Sequence, residues 1–558
     1  MESYNHPPFE GTTPNYGGTT ILNFASIVSE AQTATTKEHQ MTIWQGIRLY
    51  PKAIAWSMLI SMTVVMEGFD NALIGSFYAF PAFQEKYGDQ LSDGTYGLTA
   101  QWQAGLSGAV NAGQVLGLLL NGYISERLGY KKTMLAALSA AVAFVPLLFF
   151  AQNKQILLAG ELLLGLPLGI FQTLTIAYAS EVCPVILRSF LATYVNLSWV
   201  IGQLLALSIL KGLASNTTEW SYKIPFAIEW AWPALILGLV IFAPESPWWH
   251  VRHNNPQKAL TSLHRLIGKG AGANFDANQT ISMMIHTNEI EKNISAGTSY
   301  FDCLRGVNRR RTSITCLITA SQNLCGAGLM AYSTYFYLQA GLSTQLSFSL
   351  SAAQYAIGFF GTLLSLPLVP YFGRRTLFIS GLLALAIILS VIGFLAVGGE
   401  GPSISLSIGS SLLIFVFAYN CAVGAPGYVL VSEMASTRLR SKTLVISRVL
   451  YNVIGIVNSV IIPYMLNPTS WNWKGKTGFF WAGLCLLCSI LCFSFLPETQ
   501  GRTYGELDTL FEQRIGARSF KDAIVDPFKH TPWGSSIEES GTATQPRVMV
   551  EDDSFIVR

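Results

Sequence analysis

The chain reads as an all-α membrane protein: twelve transmembrane helices in two pseudo-symmetric six-helix bundles, with a short cytoplasmic helical segment between them. Three observations predict this. Hydrophobic residues make up 51% of the 558 and charged residues only 12%, with a mean hydropathy of +0.39, too few charges to clothe a large soluble globule. Apolar runs of spanning length recur about twelve times along the chain. Short polar motifs at the ends of the runs return at a nearly constant offset, which indicates a duplicated six-span unit.

In chain order, residues 1–50 are polar, rich in Thr, Asn and Gly, and lack the short apolar core and cleavage site of a signal peptide, so insertion is expected to start at Ala53. Apolar runs follow at about 52–80, 101–124, 132–151, 156–179, 189–211 and 225–243, a first bundle within 51–243. A polar stretch, 244–312, carries Asn255, Pro256 and apolar Ala259, Leu260, Leu263, Leu266 and Ile267 before Gly268, the pattern of a capped amphipathic helix under the two bundles. Gly270 to Thr280 reads as a linker without a core. The second bundle, 313–496, holds runs at about 313–338, 347–369, 376–397, 404–430, 443–466 and 477–496. A polar tail, 497–558, is expected to be mobile after Arg518.

With an even number of spans in each bundle, both termini and the central stretch share one side. Arg127, Lys131, Lys132, Arg188, Arg374, Arg375, Arg438, Arg440 and Lys442 lie in the short loops there, against six lysines opposite, so that side is predicted to be cytoplasmic. Of the external loops only one carries a glycosylation sequon, at Asn216; those at Asn278 and Asn293 fall on the cytoplasmic side and are expected to be silent.

The repeat shows in three places. Glu181 precedes Arg188 by the spacing at which Glu433 precedes Arg440, 252 residues on. Pro244-Glu245-Ser246 answers Pro497-Glu498-Thr499 at an offset of 253, and Gly129 before two lysines answers Gly373 before two arginines at 244.

Two acids stand in the middle of the first run, Glu67 and Asp70. Each costs about 2.5–3.5 kcal/mol at the centre of a lipid-facing helix. Three residues apart, they are expected on one helical face that lines a polar cavity, where carboxyl groups can take up and release protons; a polar contact that fixes helix packing is the plainer alternative. All seven histidines lie outside the apolar runs, which excludes a histidine relay or an intramembrane metal site, and no cofactor is implied. A net charge of +3 with no basic block among aromatics gives no footing for nucleic acid. The eight cysteines form no disulfide framework, and Cys485, Cys488 and Cys492 read as small buried thiols. Gly475-Lys476-Thr477 is a phosphate-loop fragment with Ser470 where the first glycine should stand, so an enzyme is not expected.

The loop Gly122 to Lys132, with Glu126 and Arg127, resembles the loop between spans two and three of the major facilitator superfamily. The Glu/Arg pairs, Pro244-Glu-Ser-Pro and Pro497 to Arg502 resemble the sugar porter branch. Finer features resemble fungal maltose and α-glucoside permeases: Met66 to Asp70, Trp248-Trp249, Asn308 to Thr312, Tyr332 to Tyr337 and Val525 to Phe528. The likeness runs from Tyr50 to Phe528. It implies a major facilitator fold and α-glucoside:proton symport at the plasma membrane, by a protein functional as a monomer.

Residue roles follow from the same resemblance. Glu126, Arg127, Glu181, Arg188, Glu245, Arg374, Glu433, Arg440, Glu498 and Arg502 would form a cytoplasmic charge latch between the halves. In that latch Pro370-Tyr371 replaces the usual acid and arginine. Where many sugar porters begin the fourth span with arginine, this chain has Glu161. With Glu67, Asp70 and Glu161 acidic and no arginine in view nearby, a proton is expected to be shared among them. Asn196, Gln322, Asn323 and Tyr428 would bind the sugar, amides pairing with its hydroxyls and rings stacking on its faces; Asn452 and Asn458, amides at membrane depth in the eleventh span, are further candidates by residue type. The alternatives are a non-transporting sugar sensor, or a facilitative or other-sugar (hexose, cellobiose) carrier.

Overall fold

The computed structural model describes residues 15–16, 19–20 and 30–523, except 32, 35–36, 39, 91–93, 95, 217, 269–274, 296–299, 400, 436–438, 501, 503 and 521–522. The tail beyond 523, with the Val525 to Phe528 motif, and residues 270–274 of the linker expected at 270–280 lie outside the described residues; the rest of that stretch is not a linker without a core, since Phe275 meets Tyr50 edge-on (6.0 Å) and Ala277 opens a helix.

Each apolar run coincides with helix. In the first half the helices are Pro51–Ser61 continued by Thr63–Phe77, then Ala100–Leu128, Tyr130–Phe149, Lys154–Val182, Val185–Leu213 and Trp220–Val240. In the second they are Gly306–Leu324 continued by Gly328–Ala331 and Ser333–Gln339, then Thr344–Phe372, Arg374–Val397, Pro402–Tyr419 continued to Met434, Arg440–Leu466 and Thr477–Phe495. Among the described residues ten helices are long and apolar enough to cross a membrane. The second and seventh spans fall short, and the reason is their position. Their polar residues, Ser107, Asn111 and Gln114 in one and Gln322 and Asn323 in the other, line internal cavities rather than facing lipid.

Three spans depart from regular helix. The first only tightens at Met62, whose torsions stay helical (φ −63°, ψ −15°). The seventh breaks after Leu324, where Gly326 takes a φ of +90° that a side chain would resist. The tenth opens into a π-turn over Asn420–Gly424, just before Pro426, whose missing N–H and bulky ring forbid a regular turn there.

The central stretch is richer than its sequence suggests. It forms Pro247–Arg252, Pro256–Leu266 and Ala277–Ser295, then a 3₁₀ turn at Tyr300–Leu304. The expected amphipathic helix is present, but Asn255 does not cap it; its amide donates to the His253 carbonyl instead (2.9 Å). Nor does that helix lie under both bundles. Buried Ala259, Leu263 and Leu266 pack it at the end of the first span, where Gly268 N–H donates to Leu49 O (3.0 Å). The polar N-terminal region also contributes a helix, Ile43–Leu49, started by a capping box between Thr42 and Gln45.

The halves meet along the second and eleventh spans and along the fifth and eighth. At the end opposite the linker the seam is tight. Tyr78 stacks on Tyr332 (5.9 Å), Phe80 meets Phe348 edge-on (5.5 Å), Ser76 and Thr334 share a hydrogen bond (3.2 Å) and Asn467 donates to Leu98 O (3.0 Å).

At the linker end the repeat becomes a repeated fastener. Glu245 accepts from the backbone N–H of Tyr130 (2.9 Å) and Lys131 (3.1 Å), capping the third span; Glu498 accepts from those of Arg374 (3.0 Å) and Arg375 (3.1 Å), capping the ninth. Gly129 (φ +89°) and Gly373 (φ +83°) turn the chain into these helices, and a Cβ on either would press against the capping carboxylate. Glu181 accepts from Arg252 (2.7 Å), Tyr130 Oη (2.7 Å) and Ser246 Oγ; Glu433 accepts from Arg374 (3.3 Å) and Thr499 Oγ1 (2.5 Å). Burial pulls the Arg252 guanidinium down, but the neighbouring Glu181 carboxylate outweighs it and holds the group above its ordinary range.

These ties join elements of one half, not the two halves, which differs from the expected latch. Glu126 and Arg127 are exposed: Arg127 lies over the Tyr123 ring (4.1 Å), and Glu126 offers its carbonyl to Trp249 Nε1 (3.0 Å). Arg502 ties down the tail through the carbonyls of Phe520 (3.0 Å) and Ala523 (2.6 Å). Arg188 is half-buried near Cys183, and the side chain of Arg440 lies outside the described residues. Glu245→Gln and Glu498→Gln each remove a capping charge, and each is expected to lower stability by about 1–2 kcal/mol. A thermal unfolding series in detergent checks this, with no change for Glu126→Gln as the contrast.

Candidate functional site

Two adjoining cavities run along the seam, of about 600 and 810 Å³, sharing Asn71, Asn111, Trp199, Tyr419 and Tyr451. Asn196, Gln322, Tyr428 and Asn452 line the first; Asn323 and Asn458 line the second. All six residues expected around the sugar therefore line one or the other of two adjoining cavities between the halves.

Their amides differ in how far they are already engaged. Gln322 Nε2 donates to Gly424 O (2.9 Å) and so holds the π-turn of the tenth span. Asn323 Nδ2 donates to Tyr451 O (2.8 Å), and Asn458 Nδ2 to Asn323 O (3.2 Å), which supports the break in the seventh. Asn196 Nδ2 and Asn452 Oδ1 are buried without a hydrogen-bond partner. A donor from one half and an acceptor from the other, both left idle around the first cavity, suit a hydroxyl cluster, since an unpaired buried polar group is costly.

The two acids of the first span do not share one environment, as their spacing led us to expect. Glu67 opens on the first cavity, accepts from Gln172 Nε2 (2.6 Å) and faces the cation of Arg448 from the eleventh span. That guanidinium lies over the rings of Tyr428 (4.2 Å) and Tyr451 (5.5 Å). The expectation that no arginine stands near these acids is thus corrected for Glu67: the cation comes from the opposite half, not from the fourth span.

Asp70 borders the second cavity and turns into the first half. There it is 0% exposed beside Glu161 (0%) and Glu229 (2%), and the three act on one another electrostatically. None of their six carboxyl oxygens has a hydrogen-bond partner among the described residues. Glu67 is therefore set apart, and Glu229 of the sixth span completes the buried trio.

Glu229, Arg448 and Gln172 went unread in the sequence. The first two are ionisable residues inside apolar runs, the same signal that marked Glu67 and Asp70. Gln172 stands eleven residues after Glu161, about three turns of helix and hence on the same stripe. Asn216, between the fifth and sixth spans, is half-buried, and its Oδ1 accepts from Thr218 N (2.9 Å) and Oγ1 (2.8 Å).

The fold resembles that of the xylose transporter XylE from E. coli in a partially occluded inward-open conformation. The TM-score is 0.67 at 19% identity, over 81% of this chain and all of that one. A second XylE structure, a proton:xylose symporter of the major facilitator superfamily bound to 6-bromo-6-deoxy-D-glucose, gives 0.68 at 21%, covering 83% and 99%. In sequence, the general alpha-glucoside permease of Saccharomyces cerevisiae is 40% identical over 512 residues, 91% of this chain and 83% of its own length. Maltose permease MAL31 of the same yeast is 41% identical over 506 residues, covering 90% and 82%. Residues 56–511 match the family described as sugar (and other) transporter. The chain is a multi-pass membrane protein and belongs to the sugar transporter family.

Proposed function

We propose that the protein carries an α-glucoside of the maltose type into the cell together with a proton, by alternating access, working as a monomer in the plasma membrane with both termini cytoplasmic. The observation that carries the reading is the seam cavity itself. It sets idle amide groups and aromatic rings beside Glu67 and next to Asp70, the member of the partnerless buried trio that borders the adjoining cavity, in a chain 40% identical to an α-glucoside permease.

Asn196, Asn452, Gln322, Asn323 and Asn458 would hold sugar hydroxyls, with Tyr428 as a stacking ring. Asp70 and Glu161, with Glu229, would take up the proton, because three carboxyl groups with no cation beside them cannot all be ionised together. Glu67, facing Arg448, would link that step to the sugar. The networks of Glu181 and Glu433 would keep each half rigid as the halves rock, and Asn216 would lie on the external face, open to glycosylation.

One proton crossing about 100 mV releases roughly 2.3 kcal/mol, enough for about fifty-fold accumulation of a neutral solute. Uptake of labelled maltose with simultaneous external alkalinisation, in cells lacking their own permeases, tests the reading. Entry without proton movement would leave a facilitative carrier, which the Arg448 cation opposite Glu67 favours; binding with no entry would leave a sensor. A panel of unlabelled competitors then ranks the sugars.

A further inference from the structure

We propose that Gln172 is a positioning residue that reports the protonation of Glu67 to the second half of the protein, by reversing the hydrogen-bond sense of its side-chain amide. This deepens the proton-coupled reading above and rests on it.

The geometry is a short chain across the seam. Gln172 Nε2 on the fourth span donates to Glu67 Oε1 (2.6 Å), and Gln172 Oε1 accepts from Asn452 Nδ2 on the eleventh (3.3 Å). All three residues are buried, at 7%, 7% and 1% exposure, so water does not mask the direction of these bonds. An ionised Glu67 can only accept, which commits the Gln172 amide: nitrogen toward the acid, oxygen toward Asn452. In that arrangement the bond across the seam is long, and Asn452 Oδ1 is left buried without a partner.

Put a proton on Glu67 from the water of the cavity and the carboxyl gains an O–H to give away. Rotation of the Gln172 amide by half a turn offers it Oε1 as acceptor and points Nε2 at Asn452, whose own amide must turn as well to bring up Oδ1 in place of Nδ2. No proton travels along the amides; the proton stays on Glu67 until it is released to water on the other side. Protonation therefore moves the unpartnered atom of Asn452 from an acceptor, Oδ1, to a donor, Nδ2, and so reverses the hydrogen-bonding character that the second half presents at the seam, which shifts the balance between closed and parted halves. Among the described residues the charged and titratable groups around Glu67 are Asp70 on its own span, Arg448 and Tyr451 from the eleventh and Tyr419 and Tyr428 from the tenth; the second, fourth, fifth and seventh spans bring amides and the Trp199 ring to the same cavity, not charges.

The test uses the full chain in proteoliposomes. The readout is the ratio of pH-driven maltose accumulation to maltose exchange at zero gradient, followed across external pH. Gln172→Leu removes the amide; Gln172→Met does so while keeping the length of the side chain. The expected result is a fall in that ratio of about tenfold, in the range usual for a coupling between two sites, with a flattened pH profile. Addition of Asn452→Ala should lower the ratio no further. A ratio and pH profile like those of the wild type in either variant, or additive losses in the double variant, would overturn the relay. So would failure of both variants to insert as monodisperse protein, which would make Gln172 a folding residue. Wild-type protein that exchanges maltose but never accumulates it would instead sink the symport reading, a separate outcome.

Discussion

Asp70→Asn, and equally Glu161→Gln, is expected to abolish accumulation of sugar against its gradient while the protein still inserts and folds. Each exchange replaces a carboxyl group with an amide of the same shape, so the packing around a side chain that is 0% exposed is undisturbed. The variant loses only the ability to bind and release a proton. Stability should hold or rise, since the carboxyl oxygens of Asp70 and Glu161 make no hydrogen bond for the change to break. The in/out ratio of labelled maltose should fall from the roughly fifty-fold that one proton sustains to unity. Downhill entry, if it survives, should no longer respond to external pH. Proton-driven accumulation at the wild-type level in both variants would show that these carboxyl groups are packing residues and that the energy enters elsewhere.

The second large effect is expected at Gly75, which lies where the first span passes the break in the seventh. A Cβ there would collide with the Ala331 carbonyl oxygen, a backbone atom of the other half that has nowhere to retreat. Gly75→Leu should therefore leave each half intact and forbid their approach at the end opposite the linker, which the proposed topology makes external. Overpacking of this kind costs about 1–3 kcal/mol, and at about 2 kcal/mol the closed form loses some thirty-fold in population. Maltose entry should drop by a similar factor. In a Ser459→Cys background, a thiol at a site 3% exposed in the closed seam should become open to a membrane-impermeant reagent added outside. Unchanged entry together with an unreactive thiol would mean that the seam yields at this point without consequence.

Much of the architecture can be read from the chain because lipid imposes a simple demand, twenty or so apolar residues per crossing. The places where the reading falls short share one physical reason: the helix face in question meets another part of the protein and not lipid. The second and seventh spans lose hydropathy to the cavity they line. The π-turn at Asn420–Gly424 depends on Pro426 together with a donor, Gln322, brought from 100 residues away in the chain. Glu67 and Asp70 look alike on a helical wheel, yet they part because an arginine of the eleventh span claims one side and Glu161 and Glu229 the other. Contacts of that reach leave no local mark. Of the six candidates for the sugar, Asn196, Gln322, Asn323 and Tyr428 were legible through family likeness, and Asn452 and Asn458 only as amides at membrane depth, a residue type that does not by itself differ from ordinary helix glue.

The fasteners at the linker end bear on how such a molecule can move cheaply. Glu245 and Glu498 each pin the close of one six-span unit back onto its own third helix, and the Arg252–Glu181 and Arg374–Glu433 bridges stay within the same unit. A swing of one unit against the other therefore stretches none of these bonds. The work of each cycle is confined to trading one set of interfacial partners for another, together with bending where the backbone already leaves the α form, at Gly326 and the wide turn before Pro426. A gradient worth only a few kcal/mol can drive a body built on those terms.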